Sequence, residues 1–182
     1  MRQLSFLPKV GLDHGHGVKA GRRKEGRPLD PKRPIHLVLR SERAKGQWSM
    51  LHPKNRKRVN DFVVSTMAKH GVRKLQYANV GNHLHLVIRY RSRIQFQAFL
   101  RELTGRLACL ITGATKAVPV DGFWQGLAYT KIVHWGRHLL RTLEYAILNQ
   151  LEAQGMSRLN ARDLLSGLRL ESSGIGRPVV PT

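Results

Sequence analysis

Three observations predict an α+β fold. Short segments carry alternating apolar residues, longer ones carry apolar residues every three or four positions, and the two kinds follow a telling order. The order is strand, helix, strand, strand, helix, strand, then one more helix. That is the split order of a ferredoxin-like antiparallel four-stranded sheet, with two helices on one face and an extra C-terminal helix that carries a tyrosine.

Each element has its own signal. Ile35-His36-Leu37-Val38-Leu39-Arg40 alternates as a strand, with Ile35, Leu37 and Leu39 on one face. Asn55 to His70 is a helix whose apolar stripe is Val59, Phe62, Val63, Thr66 and Met67, with Gly71 to stop it. Arg73 to Val80 and Asn82 to Tyr90 are the second and third strands, and Gly81-Asn82 marks a hairpin between them. Arg93 to Ile111 is a second helix, with a stripe of Phe96, Phe99, Leu100, Leu103, Leu107, Leu110 and Ile111. Phe123 to Val133 reads as the fourth strand. His138 to Gln154 is the third helix, stopped by Gly155, and a short helix around Asn160 to Leu168 follows, before a loose end from Ser172 to Thr182.

Composition narrows the partners. The 182 residues include 32 Lys plus Arg against 11 Asp plus Glu, a net charge of +21, which favours a polyanion bound in a salt-sensitive way. Hydrophobic residues make up 41%, enough for a real core and too many for a disordered basic tail. No apolar run approaches the length of a membrane span, and the first ten residues make a poor signal peptide, so a cytoplasmic, nucleoid-associated protein is expected. The single cysteine, Cys109, excludes an internal disulfide and reads as a small buried hydrophobe. Gly, Pro and basic residues crowd residues 1–33, which read as a basic flexible arm; His14 and His16 within it are taken as incidental.

The run Gly81-Asn82-His83-Leu84-His85-Leu86-Val87-Ile88 carries the chemistry. Alternation puts His83 and His85 on one face and Leu84, Leu86 and Ile88 on the other. Two imidazoles side by side on a rigid sheet make half of a metal site. In the third helix, Leu139, Leu140, Leu143, Ala146 and Ile147 cluster on one side. Tyr145 falls opposite, together with His138, Arg141, Asn149 and Glu152. If the first two helices cover one face of the sheet, the third can lie near the other and bring Tyr145 towards the histidines. A phenol is a weak nucleophile at neutral pH, its free pKa being about 10. A divalent cation on the imidazoles would polarise a phosphate for in-line attack. Asn149, one turn beyond Tyr145, is the first choice of third ligand, with Gln150, Glu152 and His138 as alternatives. Nitrogen and oxygen ligation of this kind suits Mg²⁺ or Mn²⁺. Arg40, Arg89 and Arg141 are the candidate DNA-binding residues. Phe123 and Trp124 could stack a base, although a core role suits them better.

The run Asn82-His83-Leu84-His85-Leu86 resembles the His-hydrophobic-His motif of the HUH single-tyrosine transposases, within the IS200-like superfamily. Leu143-Glu144-Tyr145-Ala146-Ile147-Leu148-Asn149-Gln150 is similar to the tyrosine helix of the REP-associated tyrosine transposases, and Phe123-Trp124-Gln125-Gly126-Leu127-Ala128-Tyr129 to the aromatic segment before it. The resemblance spans roughly residues 20–155 in order and spacing. It implies Tyr145 as nucleophile, His83 and His85 as metal ligands, and Asn149 as the third. It implies metal-dependent cleavage and rejoining of single-stranded or hairpin DNA through a 5′-phosphotyrosine, by a monomer or homodimer. Residues 34–156 would be the HUH tyrosine transposase domain and residues 157–182 a C-terminal extension. The alternative is the same fold holding hairpin DNA or structured RNA without cutting it; charge alone would also suit a ribosome- or RNA-associated protein.

Overall fold

The computed structural model describes residues 13–14 and 26–174. Its elements run β1 (Asp13–His14), β2 (Ile35–Arg40), a 3₁₀ turn (Gly46–Trp48), α1 (Pro53–Lys69), β3 (Arg73–Asn79), β4 (His83–Arg89), α2 (Arg93–Thr112), β5 (Tyr129–Ile132), α3 (Arg137–Ala153) and α4 (Arg158–Gly174). The strands form one sheet in the order β1-β5-β2-β4-β3, antiparallel throughout. Without β1, this is the ferredoxin-like arrangement that the sequence predicts.

Alternation decides what each face of the sheet meets. Ile35, Leu37 and Leu39 of β2 and Leu84, Leu86 and Ile88 of β4 all point one way and are fully buried. Against them lie Val59, Val63 and Met67 of α1 and Phe96, Phe99, Leu103 and Leu107 of α2, which complete a single core. Burying each of these side chains stabilises the fold by roughly 1.5–3 kcal/mol before entropy is counted. The ends of the helices are fixed locally. Ser92 accepts from the backbone N–H of Gln95 to start α2, and Gly113 ends it in the left-handed conformation at φ 74°. Glu102 of α2 joins Lys69 and His70 at the end of α1, and also Arg106 one turn on, tying the two helices together.

The hairpin tip before β4 is gripped from outside. Asn79 donates to the Met50 carbonyl and accepts from the Gly81 N–H, at 2.9 and 3.0 Å. Gly81 takes φ +92°, and a Cβ there would press within 3.2 Å of the Ser49 hydroxyl, so glycine is needed twice over. Ser41 and Met50 complete the grip through backbone bonds to Asn82 and Gly81.

Several expectations change. The fourth strand shrinks to Tyr129–Ile132, because Gly122 and Gly126 at positive φ turn the chain around the end of β2, where the Gln125 N–H donates to the Arg40 carbonyl. Phe123 is nonetheless buried, and the Trp124 indole donates to the Thr104 carbonyl, so both serve packing. The expected arm contains an ordered stretch: Asp13–His14 pairs with β5 as an edge strand. Arg27 donates to Ala128 and Thr130, so this part of the chain also lies against β5. The rest of the arm, residues 1–12 and 15–25, lies outside the described residues, as do 175–182 of the expected loose end. The last helix is longer than expected and includes 172–174. Cys109 is exposed rather than buried, since it falls between the buried Leu107 and Ile111 on the outer side of α2. Among the described residues, no helix is long and apolar enough to cross a membrane.

Candidate active site

The face of the sheet away from α1 and α2 carries His36 and Arg40 on β2 and His83, His85 and Arg89 on β4. The register sets Val38 opposite His85 and Arg40 opposite His83, which places His36 diagonally from His85. α3 packs on this face, where the small side chain of Ala146 is fully buried. The neighbouring Tyr145 stays 44% exposed. Its ring meets His85 edge-on, with centroids 5.5 Å apart and planes at 89°, and meets His36 at 6.2 Å and 77°. The structure therefore brings Tyr145 and the histidine pair together, although not by turning the tyrosine away from the packed side of α3. Leu140, expected in the apolar cluster, is exposed instead.

The histidines form a chain. The His83 and His85 rings lie 4.7 Å apart at 78°. His83 Nδ1 lies 2.6 Å from Asn82 Oδ1, so with Nδ1–H donating to that oxygen, the lone pair sits on Nε2. His85 Nδ1 lies 3.1 Å from His36 Nε2, with the two rings stacked at 19°. His85 Nε2 is buried and has no hydrogen-bond partner. Burial, then the neighbouring His36 and His83, lower the His85 pKa to about 3. Burial, then Lys131, lower His36 to about 4, while burial and the Arg40 charge lower His83. All three rings are neutral at pH 7, the form that binds metals.

The donor set fits a divalent cation in part. An orphaned ring nitrogen beside a second imidazole suits one, yet no three His, Cys, Asp or Glu side chains gather as a metal set among the described residues. Any further ligand is therefore an amide, water or phosphate oxygen. Asn149 lies one turn after Tyr145, and its Nδ2 donates back to the Tyr145 carbonyl at 2.6 Å, which leaves Oδ1 as the atom for a cation. The alternatives are engaged elsewhere. Gln150 accepts from Gln76, Glu152 pairs with Arg158, and His138 caps the His134 N–H near the start of α3. Arg40 stands beside His83 and Arg141 is exposed one turn before Tyr145; Arg89 stacks on Trp135 instead of reaching solvent freely.

His36 is the site residue that sequence reasoning did not single out. Alternation already put it on the outward face of β2, but only the pairing of β2 with β4 brings it to His85.

No family model and no curated protein matches the chain. A solved REP-associated tyrosine transposase bound to a REP hairpin superposes with a TM-score of 0.56 at 10% identity, over 71% of this chain and 73% of that one. A chain from Deinococcus radiodurans R1, described as a candidate transposase, gives a TM-score of 0.44 at 15% identity, over 70% of this chain and 98% of that one. The first of these shows that the chain shares its fold with a REP-associated tyrosine transposase.

Proposed function

We propose that the protein cleaves and rejoins single-stranded DNA as an HUH-type tyrosine transposase or a host-adopted derivative, with Tyr145 as nucleophile. The observation that carries this reading is the Tyr145 ring set edge-on against His85, beside His83, on the one sheet face that lacks an apolar layer from α1 and α2. The fold shared with a transposase that binds a hairpin, and the net charge of +21, support DNA as the substrate.

His83 and His85 would hold the cation through Nε2, with Asn149 Oδ1 as the third protein ligand. A bound Mg²⁺ or Mn²⁺ supplies Lewis-acid polarisation of the scissile phosphate. The chain's own groups do the rest. Asn82 and His36 hold the rings through the far nitrogens, and with Nδ1–H donating in each, both Nε2 atoms carry lone pairs. Arg40, opposite His83, binds phosphate and offsets its charge. Tyr145 Oη attacks phosphorus; the phenol loses its proton, the P–O3′ bond breaks, and the departing 3′ oxygen gains a proton. The products are a 5′-phosphotyrosine and a 3′-hydroxyl, and attack by another 3′-hydroxyl reverses the step and joins the strand elsewhere.

The test is a denaturing gel with labelled single-stranded hairpins, with Mn²⁺ or with chelator. A metal-dependent DNA–protein adduct that disappears in Tyr145→Phe, while binding persists, is the expected result. Tight binding with no adduct on any hairpin would overturn cleavage in favour of a non-catalytic holder of hairpin DNA or structured RNA. An adduct that survives Tyr145→Phe would remove that residue from the role.

A further inference from the structure

Trp135 sits just before α3, between the fully buried Val133 and Gly136, which turns the chain at φ 77°. A tryptophan at such a junction ordinarily packs inward, yet this one is 51% exposed. It is also held in place. Its indole N–H donates to the Lys32 carbonyl at 3.2 Å, and the Arg89 guanidinium lies 5.2 Å from the ring centroid. One face of the ring is occupied by a cation, its edge is pinned, and the ring remains half open to solvent. A rigid, half-exposed aromatic is what an unpaired base stacks on.

Arg89 gives a second, independent reason. Its Nε is buried with no hydrogen-bond partner, a costly state for a guanidinium. In the register, Arg73 lies directly opposite Arg89, a like-charge pair that is unfavourable unless an anion comes between. The neighbouring chain adds Lys32 and Arg137, while Arg33 is already paired with Asp30 at 3.1 Å. An aromatic ring beside cations short of an anion matches one nucleotide: a base for the indole and a phosphate for the guanidinium.

The position relative to the candidate site is fixed by both elements. Arg89 and His85 share one face of β4 four residues apart, about 14 Å at the rise of a strand. Tyr145 lies eight residues into α3 from Arg137, roughly 12 Å at the rise of a helix. At about 3.4 Å per stacked nucleotide, that span holds at most about four.

We propose that Trp135, backed by Arg89, is a stacking platform for one unpaired DNA base, a few nucleotides from the phosphate that meets Tyr145. The proposal rests on the functional reading above for its ligand, not for its geometry.

Binding of a fluorescent single-stranded oligonucleotide in chelator, where no cleavage occurs, provides the test. Trp135→Ala and Trp135→Leu weaken binding by about 5- to 150-fold, whereas Trp135→Phe keeps most of it. The dependence on salt keeps its slope, because stacking releases no counterions. Moving a single abasic site along the oligonucleotide weakens wild-type binding at one position and adds nothing further at that position in Trp135→Leu. Unchanged binding by both Trp135→Ala and Trp135→Leu, or an abasic scan without a sensitive position, overturns the platform. If Trp135→Ala misfolds, the scan on wild-type protein decides alone. A wild-type chain that binds but forms no adduct with Mn²⁺ overturns cleavage and leaves the platform standing; a flat scan beside a normal adduct overturns the platform only.

Discussion

His36 Nε2 and His85 Nδ1 lie 3.1 Å apart with their rings nearly parallel, so the two imidazoles share one proton and the tautomer of each dictates that of the other. If His36 donates, His85 carries its own proton on Nε2, the buried nitrogen without a partner. If His85 donates, that nitrogen keeps a lone pair. Only the second arrangement lets His85 bind a cation.

His36→Gln can still accept, since a glutamine oxygen reaches about as far as Nε2, whereas His36→Leu cannot. The expected outcome is Mn²⁺ affinity near wild type in His36→Gln and about 10- to 100-fold weaker in His36→Leu, measured by the free-Mn²⁺ paramagnetic resonance signal without DNA. Equal affinity in the two variants would show that His36 only packs.

Acid should destabilise the fold through the same rings. Unfolded histidines titrate near 6.5, while folded His36 and His85 titrate near 4 and 3, and His83 is shifted the same way. Above the unfolded value all three are neutral in both states and nothing is lost. Below it the unfolded chain takes up protons that the folded chain refuses, so stability falls with pH, by up to about 1.4 kcal/mol per unit for each ring, until the folded values are reached. Urea midpoints should drop between pH 6.5 and 5, and a midpoint flat across that window would contradict the burial of these rings.

Asn79→Ala should unlatch the hairpin tip. It removes the bonds to Met50 and Gly81, and leaves buried backbone groups short of partners, at a cost of about 1–3 kcal/mol. Because the tip leads straight into His83, Mn²⁺ affinity should fall together with the melting temperature. A lower melting temperature with unchanged affinity would mean that β4 holds His83 without help from the tip.

The sequence makes the faces of the elements legible and leaves their partners obscure. Alternation alone separates His83 and His85 from Leu84, Leu86 and Ile88, and helical spacing alone picks out Phe96, Phe99, Leu103 and Leu107, because both are local periodicities. The importance of His36 depends on the register between β2 and β4, which joins residues 49 apart. The Phe123 segment looks like strand because it is apolar; two glycines at positive φ bend it instead. Leu140 and Trp135 are apolar residues that the fold leaves outside, and a single sequence carries no sign of which ones those will be.

Tyr145 and the histidines it meets belong to the same chain, joined through β5 and a short turn into α3. Under the proposed mechanism, nucleophile and imidazoles thus arrive together on one polypeptide. If the site cleaves as proposed, the initial rate of strand nicking is expected to be first order in protein. A chain lacking the tyrosine and a chain lacking the histidines, mixed together, are then expected not to repair one another.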